Sequence, residues 1–354
     1  MTSSPSKTNP VRLSIIVPCY KVERYLSKCL ASLVGQTLQD IEIVCINDGS
    51  PDRCIDILRE WEARYPDKIV IIDKRNEGVW RGRWDGIRVA RGEYIGFLDS
   101  DDYAEPDFAE RLYQAAGEAD ADIAVCGFSR VDLDTGKVLS RELCREREPF
   151  CIADDPGRIV ELNGAPWNKV FRADILKGMH DLTEPPPVLD DLMFQLLAYL
   201  EGRGTVCFVP VSLVNYMVRA GSIITSVSEE QVDAVYRAFV EVHEWYEHDE
   251  APEALMQALD AAAFLHLGIS LNYRLSYNRD VDLRAAVDRC TRYLDEHFPT
   301  WRHSPYINGQ YARINGPSFK RLLTSSRMYK LGLLPQFLGA YRTITEAAHF
   351  DIKW

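Results

Sequence analysis

Residues 99–102 read Asp-Ser-Asp-Asp, directly after the apolar run Tyr94-Ile95-Gly96-Phe97-Leu98. Three carboxylates within four residues repel one another, and the run before them implies that the loop starts from a partly buried place. An all-oxygen ligand set on a tight loop suits a hard divalent cation, Mn2+ or Mg2+, which relieves the repulsion and shares its coordination with a phosphate. An ordinary role competes: Asp102 or Asp107 is placed to cap the helix that "FAERLYQAAG" predicts. The cluster alone leaves both readings open.

A second acidic pair, Asp190-Asp191, opens the stretch "DDLMFQLLAYLEG" after the proline-rich segment "TEPPP". Leu189, Leu192, Met193, Leu196 and Leu200 recur at helical spacing, so the pair falls in the first turn of a helix. A carboxylate there can take a proton from an attacking hydroxyl. Acids in a first turn equally serve as caps and as partners of the helix dipole.

The elements that must position these groups follow a clear alternation. "RLSIIVPCY", "IEIVCIND", "KIVIID" and "EYIGFLD" read as strands. "ERYLSKCLASLVGQ", "DRCIDILREWEARYP" and the shorter "RWDGIRVARG" lie between them at helical spacing. Near-continuous apolar strands separated by helices predict parallel strands covered on both faces, an α/β sandwich whose ligands bind at the carboxyl ends of the strands. Two strands end there in acidic loops, "INDGSPD" and "LDSDDYAEPD". Beyond residue 120 a hairpin is expected around Asp134-Thr135-Gly136. Helices dominate from Ser228, and the boundary is expected within residues 226–231.

The bulk numbers set limits. A chain of 354 residues exceeds one compact core, so a large domain with an appended region is expected. A net charge of −12 argues against binding nucleic acid through an extended basic surface. Nine scattered cysteines with no paired spacing predict reduced thiols in a cytoplasmic protein. The polar first ten residues predict a disordered start rather than a signal peptide, and no apolar run of about 18 residues is evident.

Several segments, in order, resemble family 2 glycosyltransferases of the GT-A fold: "SIIVPCYKVERYLSKCLASLVGQTLQDIEIVCINDGSPD", then "NEGV", then "GIRVARGEYIGFLDSDD". The resemblance implies a GT-A catalytic domain over residues 11–225, a Rossmann-like mixed sheet with helices on both faces, followed by a helical region over 226–354. It implies that Pro18 and Tyr20 flank a nucleotide base and that Asp48 hydrogen-bonds it, where a simple Asx turn with Ser50 is the plain alternative. It places Asp99 and Ser100 at the donor, Asp101 on Mn2+ or Mg2+, and Asp102 in support. Arg83 stands where the family has a basic residue near base or phosphates. Asp191, with Asp190 before it, matches the catalytic base. Arg219 and Ser222 of "NYMVRAGSIITS" match a segment that closes over the diphosphate. Trp167 of "PWNKVF" is either a sugar-stacking platform or a core residue, and Trp80 and Trp84 either line the donor pocket or fill core.

The function so implied is inverting transfer from a nucleotide-sugar, a UDP-sugar by the family pattern, to a hydroxyl of a glycan or lipid-linked acceptor in cell-surface polysaccharide synthesis. The alternative is a non-catalytic nucleotide-sugar or glycan-binding module on the same fold. A Rossmann dehydrogenase is excluded because no GxGxxG follows an early strand. Residues 318–345 carry Lys320, Arg321, Arg327, Lys330 and Arg342 among leucines and without an acid. Three roles stay open for them: contact with the inner face of the plasma membrane, a homodimer interface, or packing on the chain's own core.

Overall fold

The computed structural model describes residues 10–218 and 227–348, with side chains to Thr343. The chain forms two compact units, one of residues 1–150, 165–179 and 201–220, the other of 151–164, 180–200 and 221–354.

The first unit holds a mixed sheet. Its strands are β1 (Leu13–Cys19), β2 (Ile41–Asp48), β3 (Ile69–Lys74), β4 (Tyr94–Phe97), β5 (Tyr103–Ala104), β6 (Ile123–Asp132), β7 (Val138–Glu142), β8 (Phe150–Cys151), β9 (Lys169–Arg172) and β10 (Thr205–Val218). Their spatial order is β3-β2-β1-β4-β9-β6-β10-β5, with β7 on β6. β1, β2, β3 and β4 are mutually parallel, as their apolar runs predict. β9 enters antiparallel between β4 and β6, and "KVFR" carries no alternation that would have marked it as a strand. The hairpin appears at its expected place, β6 and β7 joined through a turn with Gly136 at φ 70°.

Helices α1 (Glu23–Val34), α2 (Cys54–Arg64), α3 (Val79–Val89), α4 (Phe108–Glu118) and α5 (Ala173–Gly178) complete this unit. Period-two alternation assigns the two faces of β1. Leu13, Ile15 and Val17 join Leu26, Leu30 and Leu33 of α1 and Phe108 and Leu112 of α4 in one buried core. Ile16 points the other way, towards α3. A Cβ on Gly86 would stand 2.6 Å from Ile16 Cγ2, and one on Gly82 3.5 Å from Ile46 Cγ2. Glycines thus let α3 lie close on the strands whose ends carry the candidate site. Trp80 and Trp84 of α3 are buried and are not among the residues lining the cleft described below.

The second unit is helical: α6 (Asp190–Glu201), α7 (Glu229–His248), α8 (Glu253–Ala263), α9 (Asn272–Leu275), α10 (Leu283–His297), α11 (Gly309–Asn315), α12 (Pro317–Lys330) and α13 (Leu334–Ala348). Ser228 caps α7 reciprocally with Gln231, the boundary region expected from sequence. A π-helical stretch joins α8 to α9, so that Glu253–Leu275 is one helix long and apolar enough to cross a membrane. Its side chains are mostly buried within the unit, including Leu255, Leu259, Phe264, Leu267 and Leu271, which makes it the unit's core helix.

The division corrects the expected boundary. Residues 151–164 and 180–200 lie inside the span 11–225 yet pack with the helices. Tyr246 Oη donates to Leu196 O at 2.7 Å, Tyr311 Oη donates to Asp155 Oδ1 at 2.7 Å, and a Cβ on Gly157 would meet the Tyr306 ring. The loop entering α6 is held at its start by Asp249, whose oxygens lie 2.8 Å from His180 Nε2 and from His248 Nδ1. These two bonds, that from His248 first, lower the Asp249 carboxyl below its ordinary range.

Candidate active site

The carboxyl ends of β1, β2 and β4 open into a cleft of about 380 Å3 in the first unit. Pro18, Cys19, Tyr20, Asp48, Asn76, Gly78, Val79, Asp99, Ser100 and Asp101 line it. Pro18, Tyr20, Asp48, Asp99, Ser100 and Asp101, far apart in sequence, are therefore gathered in one place, as parallel strands with a common end require.

Each wall is fixed by identifiable bonds. Pro18 sits in β1 opposite Ile46 of β2, and Tyr20 follows at the strand end with 42% of its surface exposed. Lys21 then turns the chain at φ 56°, donating its N–H to Ser50 Oγ at 2.8 Å. Ser50 in turn donates to Asp52 Oδ1 at 2.6 Å, and Glu23 N–H donates to Asp52 Oδ2 at 3.1 Å. The loops after β1 and β2 are thus tied together through one carboxylate. Burial opposes the charge on Asp52, but the bonds from Cys54, Ser50 and Glu23 outweigh it and hold the pKa down to about 2.

Asp48 does not form the Asx turn that was its plain alternative. Its two oxygens accept the backbone N–H groups of Glu77 and Gly78, each at 2.9 Å. Gly49 follows at φ 62°, and a Cβ there would stand 2.6 Å from Asn76 N, so the turn and the loop before α3 touch backbone to backbone. The segment Asn76-Glu77-Gly78-Val79 supported the family resemblance, yet no site role followed from sequence. The structure makes Asn76, Gly78 and Val79 cleft wall. The signal was present as a glycine, at φ 88°, directly before a helix.

The acidic loop closes on itself through Asp102 N–H, which donates to Asp99 O at 3.0 Å. Asp99 and Asp101 face the cleft, whereas Asp102 points away and is buried. Asp102 caps no helix: Oδ1 accepts Met217 N–H from β10 at 2.7 Å, and Oδ2 has no hydrogen-bond partner among the described residues. Burial first, then the charges of Asp99 and Asp101, push its carboxyl well above the usual range against the pull of that bond. Asp107 stands at the start of α4 but makes no side-chain cap bond. The capping reading fails for both residues. The donors that remain on the cleft are oxygens on a tight loop, a set that fits Mn2+ or Mg2+.

Other expected site residues lie elsewhere. Arg83 is buried in α3 and does not line the cleft. Trp167 is core, with the Phe128 ring edge-on at 4.7 Å and the Tyr216 ring stacked at 5.3 Å. With both neighbours in place, its faces are not available to a sugar. Asp190 and Asp191 do occupy the first turn of α6, in the second unit. Arg219 and Ser222 lie outside the described residues.

Comparison with known proteins agrees with this geometry. Residues 14–178 match the family model described as "Glycosyl transferase family 2". The uncharacterized glycosyltransferase EpsJ of Bacillus subtilis (strain 168) is 43% identical over 200 residues, covering 54% of this chain and 57% of that protein. The poly(ribitol-phosphate) beta-glucosyltransferase of Bacillus spizizenii is 33% identical over 198 residues, 54% of this chain and 30% of that protein. Among solved structures, S. aureus TarS residues 1–349 in complex with UDP-GlcNAc superposes with a TM-score of 0.67 at 20% identity, covering 91% of this chain and 92% of that one. The shared fold therefore extends past residue 225 into the helical region. Over residues 14–178 the chain is thus similar to family 2 glycosyltransferases, on a mixed α/β fold shared with TarS.

Proposed function

We propose that the chain transfers a sugar, with inversion, from a nucleoside-diphosphate donor to a hydroxyl of a glycan or lipid-linked acceptor in cell-surface polysaccharide synthesis. The observation that carries this reading is the convergence of Tyr20, Asp48, Asp99 and Asp101 on one cleft at the strand ends. Tyr20 offers an exposed ring against which a base can stack beside Pro18. Asp48 retains lone pairs for a ring N–H such as that of uracil, and a UDP-sugar is the donor class chosen here. The family pattern and the TarS complex both support that choice.

Asp99 and Ser100 bind the donor, and Asp101 would hold Mn2+ or Mg2+, which when bound would supply charge neutralisation for a departing diphosphate. The family pattern gives Arg219 and Ser222 the role of binding the phosphate oxygens. Asp191 takes the proton from the acceptor hydroxyl as its oxygen bonds to the anomeric carbon. The bond from that carbon to the diphosphate breaks, and its electron pair leaves with the diphosphate. Attack from the opposite face converts an α-linked donor into a β-linked product. Asp190 and Asp102 support their neighbours.

The test separates binding from chemistry. Calorimetry with UDP and Mn2+ should give heat with the native protein and with Asp191→Ala, and little with Asp101→Ala. UDP release from UDP-sugars should vanish in both variants. Donor binding without any turnover would favour a non-catalytic binding module. No heat for any nucleoside diphosphate would end both readings.

A further inference from the structure

The segment between Glu296 and Glu346 contains no acidic residue and seven Arg or Lys, in a chain whose net charge is −12. Arg321 and two others of those cations are engaged. Arg302 pairs with Asp295 at 2.7 Å, and Arg342 Nη1 donates to Ser276 O. Arg313, Lys320, Arg327 and Lys330 are exposed and form no ion pair among the described residues.

Their placement follows from how α12 is anchored. Phe319, Leu322, Ser325, Ser326 and Tyr329 form its buried stripe, and Tyr329 Oη donates to Gly268 O. The leucines that made the segment look amphipathic are thus divided. Phe319, Leu322, Leu334 and Leu338 belong to the unit's core, as the packing alternative held. At 3.6 residues per turn, Lys320, Thr324, Arg327 and Leu331 fall within about 60° of one another on the opposite face.

The end of α12 is closed by backbone bonds. Gly332, at φ 65°, donates its N–H to Tyr329 O at 3.0 Å, and Leu333 N–H donates to Met328 O at 2.9 Å. These are the paired bonds of a Schellman turn. The turn holds Leu331 and Leu333 outward, 70% and 49% exposed, and Ile314 at the end of α11 is 74% exposed. Exposed large aliphatic side chains on a well-bonded turn, flanked by Arg327 and Lys330, are costly in water unless something covers them.

We propose that this face, formed by the outer side of α12 and the Leu331-Gly332-Leu333 turn, docks on a lipid bilayer rich in anionic phospholipid. Charge complementarity selects that occupant: lysine and arginine meet the headgroups while the two leucines enter the acyl boundary. The surface lies wholly within the helical unit, so the assignment stands or falls independently of the catalytic reading.

The full-length protein is sedimented with vesicles of phosphatidylcholine alone or with 30% phosphatidylglycerol, in 0.1 M and 0.5 M salt (all about these values). Binding is expected only to the anionic vesicles, weaker at high salt. Lys320→Glu/Arg327→Glu/Lys330→Glu should lower it by at least about 100-fold, at roughly fivefold or more per charge. Leu331→Ser/Leu333→Ser should lower it by about tenfold or more while leaving its salt dependence in place. Both variants should keep native UDP release and melting temperature, since neither touches the cleft. Equal binding to both vesicle types, or unchanged binding by either variant, overturns the proposal. So does a native dimer in light scattering that Leu331→Ser/Leu333→Ser converts to monomer, because the face would then cover a second copy.

Discussion

Asp48→Asn tests the view that Asp48 holds the cleft wall as well as facing the ligand. Both carboxylate oxygens accept a backbone N–H at 2.9 Å, from Glu77 and Gly78, and the side chain is 4% exposed. Asparagine keeps one acceptor and turns an NH2 group towards the second N–H. One charge-assisted bond is lost, ordinarily about 1.5–3 kcal/mol, and a donor is left facing a donor at a cost of about 1–3 kcal/mol. A local penalty of about 3 kcal/mol corresponds to roughly 150-fold more frequent opening of the 76–78 loop. Native-state hydrogen exchange on a peptide spanning residues 75–79 reads this directly, and calorimetry with UDP reads its effect on binding. Exchange at Glu77 and Gly78 should rise by about two orders of magnitude, and donor affinity should fall with it. Asp48→Ala should release both amides together. Exchange within threefold of native at both amides, with donor affinity lost all the same, would refute the structural half of this argument and leave Asp48 as a ligand contact alone.

Two further outcomes follow from the same loops and sheet. Gly86→Ala forces a methyl within 2.6 Å of Cγ2 of the fully buried Ile16 in β1 and should destabilise the first unit by about 1–3 kcal/mol, measured by denaturant unfolding. An unchanged midpoint would mean that α3 is free to move off the sheet. Asp52 has its pKa depressed to about 2, so its contribution is complete above the unfolded value near 3.8 and fades as pH falls towards 2. The stability gap between native protein and Asp52→Asn should therefore be constant above about pH 5 and narrow below pH 4. A gap that widens on acidification would have the wrong sign for this linkage.

Much of the site was legible because it is built from strand ends. Pro18, Asp48 and Asp99 each follow an apolar run, and parallel strands bring their carboxyl ends together whatever lies between them. The same logic did not reach Asn76, Gly78 and Val79. They line the cleft only because Asp48 binds the loop that carries them, a contact between residues about thirty positions apart. Arg83 and Trp167 mark the opposite case. Their residue types invite ligand roles, and burial assigned them to the interior instead. Asp102 could not be told from its neighbours in sequence. Its distinction, burial and a bond to Met217, arises from β10, more than a hundred residues away.

Local pattern alone determined the alternating elements, the acidic loops, the hairpin turn and the start of α7, because hydrophobic period and turn chemistry act over a few residues. Tertiary packing decided the antiparallel insertion of β9, the transfer of residues 151–164 and 180–200 to the helical unit, and the division of the basic segment's apolar side chains into buried and outward sets. Those outcomes depend on which surfaces meet across long stretches of chain, and no short window of sequence contains that choice.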